Sequence, residues 1–278
     1  MRLDPFLTQK LIKALLWSLT GLTLFFLIFI IAFIAVKGLP QLSWQFLTHN
    51  IEDMGRAGGI FPTIVATLYL TAIALVVASP LGVGSAIYLT EYTREGWLTR
   101  IIRFGAECLA GVPSIILGLF GFVLFVIKLH FGWSMLSGGL SLAIMVLPTI
   151  IRTSEEAIKA VPQEYRDVCY SLGLGKWQTI TRVVLPCAVP GIMTGIVLSI
   201  GRSIGERAVV LFTAGASLRL PTSIFDSGRS MAVHFYILAR EGLSMPNAYG
   251  TAAILVISIL AINITAYSLM QGFIRKYQ

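Results

Sequence analysis

Three charged residues interrupt an otherwise apolar stretch of the chain at about residues 189–212: Arg202, Glu206 and Arg207. A charge at the centre of a bilayer costs about 2.5–3.5 kcal/mol on insertion scales, so charged residues in membrane segments usually face a protein interior and serve a function. A guanidinium is a forked hydrogen-bond donor that matches the oxygens of an oxyanion. The pattern therefore predicts a site within a membrane that binds anions.

The spacing of Arg202 and Glu206 places them on one face of a predicted helix, about 6 Å apart in rise. Nearly the same face carries small and polar residues, which predict a stripe lining a bundle interior: Gly195, Ser199 and Thr213. Two interpretations remain open. Either the two charges neutralise each other, or Arg202 binds a passing oxyanion while Glu206 holds the guanidinium and keeps binding weak enough for release. Arg207, about 100° around the helix, faces a partner subunit or a second counter-charge.

The remaining chemistry-bearing residues form no recognisable catalytic or metal-binding pattern. Three cysteines lie far apart, so neither a disulfide framework nor a zinc site is predicted. The nearest candidate for a phosphate-cradling loop ends at Lys176, but Trp177 replaces its hydroxyl residue and Tyr170 its first glycine. The sequence predicts a chain that is not an enzyme and binds no cofactor, so any ATP hydrolysis must come from another chain.

The composition is that of a membrane protein. Only 12% of the residues are charged, against about 25% in soluble domains, and 56% are hydrophobic. The formal net charge of +8 does not indicate nucleic-acid binding, because the basic residues lie in short segments between long apolar runs. Most of the chain is therefore predicted to be surrounded by lipid.

Six stretches are long and apolar enough to cross a bilayer, which takes about 20 residues. They predict an all-α polytopic protein with one transmembrane domain over residues 1–278, and they lie at about 14–36, 62–89, 106–127, 135–151, 189–212 and 249–273. The first stretch is longer than a signal-peptide core and lacks a cleavage site, so it is predicted to be retained. Kinks are expected at the prolines within spans: Pro80, Pro113 and Pro148.

Basic residues are unevenly divided between the two predicted sides of the membrane. Thirteen Lys and Arg residues lie on one side and six on the other. The positive-inside rule places the richer side and both termini in the cytoplasm. Residues 152–190 then form the longest cytoplasmic loop and residues 214–248 a periplasmic segment. In the latter, Ser230 to Arg240 contains no helix breaker, so we expect a helix that either contacts a periplasmic partner or simply connects two spans.

The cytoplasmic loop contains a predicted amphipathic helix. Pro162 suits its first position, and Gly173 would end it in a left-handed conformation. Apolar residues at helical spacing form one stripe: Tyr165, Val168, Cys169 and Leu172. The opposite side carries Glu164, Arg166, Asp167 and Ser171. Such a helix either lies on the lipid surface or inserts into a groove of a soluble partner, and the periodicity favours neither.

This loop resembles the signature of binding-protein-dependent ABC permeases, which reads Glu-Ala-Ala, three residues, Gly, nine residues, Ile-x-Leu-Pro. Here Asp167-Val168-Cys169, Gly173 and Val183–Pro186 keep that spacing, with the Gly and the Leu-Pro identical. The resemblance implies the type I ABC importer permease fold. It also implies that one set of residues couples the chain to an ATPase: Tyr165, Asp167, Val168, Cys169, Leu172 and Gly173.

Other segments resemble the phosphate-specific permeases, and the A-type subunit rather than its C-type sister: Gly59–Thr63, Tyr88–Tyr92, Val112–Ile116, Val146–Thr153 and Lys176–Ile180. The resemblance covers residues 58 to about 215. Arg202-Ser-Ile-Gly-Glu206 is similar to their Arg-x-x-Gly-Glu, and it implies that Arg202, Glu206 and Arg207 lie on the translocation path. Arg207 departs from the family, which usually has Thr at this position.

The family implies a bacterial inner-membrane complex that imports inorganic phosphate. Its expected partners are a second permease subunit, a dimer of cytosolic ATPases that binds ATP and Mg²⁺, and a periplasmic phosphate-binding protein. Three alternatives remain: a permease for molybdate or sulfate, a secondary transporter, and an accessory protein. A secondary transporter would need a coupling-ion site, and the clear acidic candidate, Glu206, adjoins two arginines. An accessory protein would gain nothing from the cost of buried charges.

Overall fold

The computed structural model describes residues 5–93 and 96–277. Two of the basic residues that support the predicted orientation, Arg2 and Arg94, lie outside this part of the chain. The N-terminal part consists of α1 (Pro5–Gly38), α2 (Trp44–Thr48), a two-stranded antiparallel hairpin β1 (Ile51–Glu52) and β2 (Ala57–Gly58), and α3 (Phe61–Ile87). The rest comprises α4 (Trp97–Gly111), α5 (Ser114–Gly121), α6 (Met135–Lys159), α7 (Gln163–Ser171), α8 (Lys176–Thr179), α9 (Leu185–Gly205), α10 (Ala208–Thr213), α11 (Met231–Arg240) and α12 (Met245–Tyr277).

Three helices continue without interruption into wider π-helical turns. These turns extend α3 to Tyr92, extend α5 to Lys128, and join α8 to α9. By length and composition, five described helices can cross a membrane, and a sixth crossing is possible if the bent pair α4–α5 counts as one span. Four predicted spans fall within single helices: 14–36 in α1, 62–89 in α3 with its π-helical end, 135–151 in α6 and 249–273 in α12.

The predicted span 106–127 is a bent pair rather than one helix. α4 and α5 meet at an angle of 103°. The reason is local, because a residue that precedes proline is pushed out of the α region. Val112, before Pro113, accordingly has ψ 129°, and Pro113 itself has ψ 138°. In contrast, α3 and α6 run through Pro80 and Pro148.

The predicted span 189–212 is also interrupted. α9 ends at Gly205, Glu206 is extended with φ −77° and ψ 131°, and α10 begins at Ala208. The Glu206 carboxylate stabilises this break, because its Oε1 accepts hydrogen bonds from the backbone N–H groups of Arg207, Ala208 and Val209 at 3.1, 2.9 and 3.4 Å. A side chain that satisfies the first N–H groups of the next helix competes with continuation of the previous one.

The core lies between α3 and α6, with α9 packed against both. Small residues allow the helix backbones to approach closely, as is common in membrane bundles. A Cβ atom on Gly82 would lie 2.7 Å from Ile150, and one on Gly139 would collide with Ile73. α1 contacts α12 near its end, where Phe33 packs edge-on against Tyr249. Most of α1 is exposed, as expected for a helix surrounded by lipid.

Candidate functional site

Arg202 and Glu206 do not form the pair that their spacing predicts. α9 ends between them, so they do not share one helix face. The Glu206 carboxylate instead caps α10, and no ion pair joins it to Arg202 in the described part of the chain. Self-neutralisation by this pair and a direct hold of Glu206 on the Arg202 guanidinium are therefore wrong, whereas the binding of an oxyanion by Arg202 stays a prediction. The predicted pairing failed because a spacing of four residues places two side chains on one face only within a continuous helix.

Arg202 lies at the rim of the face that α9 buries against its neighbours. Gly195 and Ser199 are buried, and a Cβ on Gly195 would collide with Thr153 of α6. Arg202 is exposed, as is Leu198 one turn earlier. The structure records no hydrogen bond or ion pair for the Arg202 guanidinium within residues 5–93 and 96–277. Arg202 therefore presents an uncompensated charge from the surface of α9.

The predicted polar stripe on α9 is divided by the break. Ser199 donates its hydroxyl hydrogen to the carbonyl of Gly195 within α9. Thr213 lies beyond the break, at the end of α10, where its hydroxyl donates to the carbonyl of Val209. The three residues of the stripe are thus buried packing residues and do not form one continuous polar lining beside Arg202.

Arg207 faces an aromatic ring rather than a counter-charge. Its guanidinium carbon lies 5.2 Å from the ring centroid of Tyr236, which is on α11. Arg240 lies 5.5 Å from the same centroid, and its Nη1 donates to the Tyr236 hydroxyl at 2.7 Å. Two cations are thereby held by one tyrosine through cation–π contacts.

These side chains line an open cavity of about 560 Å³ at the junction of both interrupted helices. Ser114 begins α5 after the α4–α5 bend, and Ala208 begins α10 after the break at Glu206. Both residues line the cavity, together with Glu206, Arg207 and Arg240 at its polar side. The first N–H groups of a helix have no partner within that helix and carry a partial positive charge. Because Glu206 already accepts from the N–H groups at the start of α10, the cavity is basic chiefly through its two arginines, which outnumber this one carboxylate.

The helix predicted in the cytoplasmic loop is present as α7 (Gln163–Ser171), just after Pro162. Gly173 has φ +80°, and the N–H of Leu174 donates to the carbonyl of Cys169 at 3.0 Å. This geometry confirms the left-handed helix end that the glycine predicts. Farther along the loop, α8 and the π-helical turn after it continue into α9, so that Ile180 and Val184 are buried while Trp177 stays 63% exposed.

The apolar stripe of α7 faces mainly outward. Tyr165, Val168 and Leu172 are 48%, 58% and 75% exposed, whereas Cys169 is buried. We call the first three residues the apolar docking face. Asp167 is exposed and accepts a hydrogen bond from the Gln163 side chain at 3.2 Å. An exposed apolar face of this kind is typical of a surface that contacts a protein partner or the membrane.

Arg166 has a role that sequence reasoning missed. It is buried, whereas the other three residues of the side opposite the apolar stripe, Glu164, Asp167 and Ser171, are exposed. Its Nε and Nη2 donate to Glu91 Oε1 at 3.0 and 2.7 Å, and Nη1 and Nη2 reach the carbonyls of Val161 and Ile158 at 2.8 and 3.1 Å. Arg166 thus joins α7 to the ends of α3 and α6. The sequence signal for a role of Glu91 was its place within Tyr88–Tyr92, one of the segments that resemble the phosphate-specific permeases.

A buried histidine stabilises the segment between α10 and α12. His234 on α11 is 1% exposed, and its Nδ1 lies 3.3 Å from Nη1 of Arg229. Burial and the nearby Arg229 charge lower the pKa of His234 to about 4. The imidazole is therefore neutral at ordinary pH, and Nδ1 accepts a hydrogen bond from the guanidinium. α11 itself confirms the helix predicted between Ser230 and Arg240.

Comparison with known proteins decides the family. Residues 78–278 match the family described as "Binding-protein-dependent transport system inner membrane component". The chain belongs to this family. Members of this family are permease subunits of ABC transporters, so this chain is a multi-pass membrane permease. The family implies a partner ATPase and a substrate-binding protein, and it is consistent with an inner-membrane location and with no enzymatic activity of the chain itself.

Similar sequences cover most of the permease chain. A "Probable ABC transporter permease protein YqgI" of Bacillus subtilis is 33% identical over 94% of this chain and 94% of its own length. The "Phosphate transport system permease protein PstA" of Yersinia pestis is 35% identical over 86% of this chain and 83% of its own.

Solved structures show the fold. One chain of a bacterial alginate ABC transporter, crystallised with an alginate-bound periplasmic protein, aligns with a TM-score of 0.66 over 96% of both chains at 16% identity. This permease therefore has the type I ABC importer permease fold that the loop motif implied.

Proposed function

We propose that this permease passes inorganic phosphate from a periplasmic phosphate-binding protein to the cytoplasm. Its relatives include proteins named phosphate transport system permease, at 31–36% identity. The observation within the chain that carries the proposal is the uncompensated guanidinium of Arg202, one turn before the break that ends α9. Its partners are a second permease subunit of PstC type, a dimer of PstB-type ATPases with ATP and Mg²⁺, and a PstS-type binding protein.

The environment of Arg202 supports a path between two permease subunits. A guanidinium that faced acyl chains at mid-membrane would cost about 2.5–3.5 kcal/mol or more. Arg202 is exposed on this chain alone, and no described residue compensates its charge. A second permease subunit that packs beside α9 removes this cost by enclosing a polar path. Arg202 then donates to the oxygens of the passing anion.

Glu206 and Arg207 contribute through the helix break. Glu206 separates α9 from α10 by capping α10. Arg202 therefore lies in α9 before the break, and Arg207 lies after it beside the basic cavity. The negative charge of Glu206 offsets part of the positive charge at the cavity and so limits how tightly an anion is held. Conduction requires both favourable entry and easy exit.

The cytoplasmic end supplies the coupling to ATP hydrolysis. The apolar docking face inserts into a groove on the ATPase, in the manner of an amphipathic helix in a hydrophobic groove. Asp167 lies beside this face at the ATPase contact, and Cys169 and Gly173 fix the helix and its end. In this arrangement both termini are cytoplasmic, and the cavity opens toward the periplasm.

The test is uptake of radiolabelled inorganic phosphate by the complete complex in proteoliposomes. Arg202→Gln is expected to lower uptake at least a hundredfold while the subunits still assemble. Arg219→Gln, an exposed arginine away from the cavity, serves as the matched control and should transport normally. Normal uptake by Arg202→Gln would contradict the role of Arg202. Competition by sulfate or molybdate that matches unlabelled phosphate would assign a different anion.

A further inference from the structure

We infer that the basic cavity holds a second oxyanion site, in which Arg207, Arg240 and Tyr236 bind phosphate before it reaches Arg202. The inference rests on the proposed function and adds a separate binding step on the outer side of the helix break.

The positive charges at this cavity differ from the paired arginines elsewhere in the chain. Arg166 pairs with Glu91 at 2.7 Å and Arg152 with Glu156 at 3.3 Å. By contrast, within residues 5–93 and 96–277 neither Arg207 nor Arg240 forms an ion pair with a carboxylate. Two guanidiniums that converge on one ring repel each other, and an anion between or beside them removes that repulsion.

The cavity also contains a carboxylate, which sets the charge of the ion that it accepts. Glu206 lines the cavity, but its Oε1 is already engaged by three backbone N–H groups. Two arginines and one carboxylate leave a net positive charge of one. That balance attracts an anion such as phosphate without binding it so tightly that it cannot move on.

Tyr236 gives the site its geometry. Its ring face holds both guanidiniums within 5.5 Å of the centroid, which restricts the directions in which they donate. Its hydroxyl oxygen accepts from Arg240, which leaves the hydroxyl hydrogen free to donate to an oxyanion. Guanidinium forks and a tyrosine hydroxyl are suitable donors for phosphate oxygens.

The start of α5 adds to this set of donors. Ser114 and Ile115, the first residues of this eight-residue helix, line the same cavity. Their N–H groups precede the first intrahelical bonds, as at every helix start. At about 560 Å³ the cavity admits a phosphate ion with several of its waters, since each water occupies about 30 Å³.

The relation of the two sites suggests a staged transfer. Arg207 follows Arg202 by five residues, and the extended Glu206 separates them. An ion released by the binding protein first meets the outer pair and then Arg202. Successive sites of moderate affinity let an ion leave each one, as in other conducting proteins.

The experiment uses the complete complex in lipid nanodiscs and the arginine reagent phenylglyoxal, with modified peptides quantified by mass spectrometry. Inorganic phosphate is compared with chloride at equal ionic strength. Phosphate is expected to slow modification of Arg207 and Arg240 about tenfold, and to leave Arg219 unaffected. In proteoliposomes, the double variant Arg207→Gln/Arg240→Gln is expected to take up phosphate about tenfold more slowly, the fold expected from losing a charge-assisted contact. Arg219→Gln is the control.

Several outcomes overturn the inference. Equal reactivity of Arg207 with phenylglyoxal in phosphate and in chloride would overturn it. Complete resistance of Arg207 to phenylglyoxal in both salts would also overturn it, because a site that an anion enters from outside must be accessible. Normal uptake by the double variant, while Arg202→Gln fails to transport, removes the outer site but leaves the proposed function intact. Normal uptake by all of these variants contradicts both.

Discussion

Arg166 Nη2 lies 2.7 Å from Glu91 Oε1, and both side chains are buried where α7 meets the ends of α3 and α6. The same arginine donates to carbonyls at the end of α6. α7, which carries the apolar docking face, is therefore fastened to α3 and α6, the two helices that form most of the core. Displacement of α7 by an ATPase would move these helices with it.

Breaking this ion pair is expected to uncouple the transporter. Glu91→Gln leaves a buried guanidinium without its counter-charge, which typically costs about 3–5 kcal/mol. We expect the complex to hydrolyse ATP at a rate within about twofold of the unmodified complex, but to import at least tenfold less phosphate per ATP. Coupled uptake and ATPase assays in proteoliposomes measure the ratio.

The control for that variant is Arg152→Gln, which removes an exposed pair with Glu156 whose side chains are 70% and 67% exposed. Such pairs contribute at most about 1 kcal/mol, so import per ATP should be unchanged. An unchanged ratio in Glu91→Gln would mean that the buried pair only stabilises the fold.

The apolar docking face should be required for ATPase binding but not for folding. Leu172 is 75% exposed, so Leu172→Asp changes no internal packing. We expect the variant permease to lose most of its co-purifying ATPase, because a carboxylate would be buried without a partner in the groove. Glu164→Ala, exposed on the same helix, is the matched control. Retention of the ATPase by Leu172→Asp would place the contact elsewhere.

His234 should make the segment between α10 and α12 sensitive to acid. Because its pKa is lowered to about 4 from 6.5, the folded form disfavours protonation. The unfolded form then binds more protons between these values, so stability falls as the pH drops from about 6.5 to 4. The full effect amounts to about 3 kcal/mol.

Thermal unfolding of the detergent-solubilised complex at a series of pH values measures this dependence. His234→Gln removes the titrating group and should flatten the curve over that range, although the variant is less stable at neutral pH. His49→Gln, in which the replaced histidine is exposed, is the control. An unaltered pH dependence in His234→Gln would contradict the assignment.

Packing between α9 and α6 should tolerate no side chain at Gly195. A Cβ there would collide with the Thr153 hydroxyl and side chain. Gly195→Ala is expected to lower the unfolding temperature by several degrees, and Thr153→Ala in the same chain to restore part of the loss. Gly84→Ala, where nothing lies within 4 Å, should be neutral or slightly stabilising. A neutral Gly195→Ala would show that α9 packs less closely.

The parts of the structure that follow from local pattern could be predicted from the sequence. Apolar runs locate α1, α3, α6 and α12, because lipid requires long apolar helices. Gly173 predicts a helix end because a left-handed residue suits glycine. α11 follows from the absence of breakers between Ser230 and Arg240.

The candidate site was less predictable because it depends on competition and on distant partners. The break at Glu206 arises because a side chain caps the next helix, which periodicity cannot reveal. The buried orientation of Arg166 depends on Glu91, which is 75 residues away in the chain. Tyr236 brings Arg207 and Arg240 together only after α11 packs beside α10.

The most direct test of the account is whether position 202 lies in an aqueous path or in lipid. Arg202→Cys, in a complex whose permease has Cys108, Cys169 and Cys187 replaced by Ala, is treated with a charged, membrane-impermeant thiol reagent. The account predicts rapid labelling that inorganic phosphate slows, whereas Phe26→Cys on the exposed surface of α1 stays unlabelled. No labelling at position 202 in either the ATP-bound or the nucleotide-free complex would place Arg202 against lipid and contradict the account.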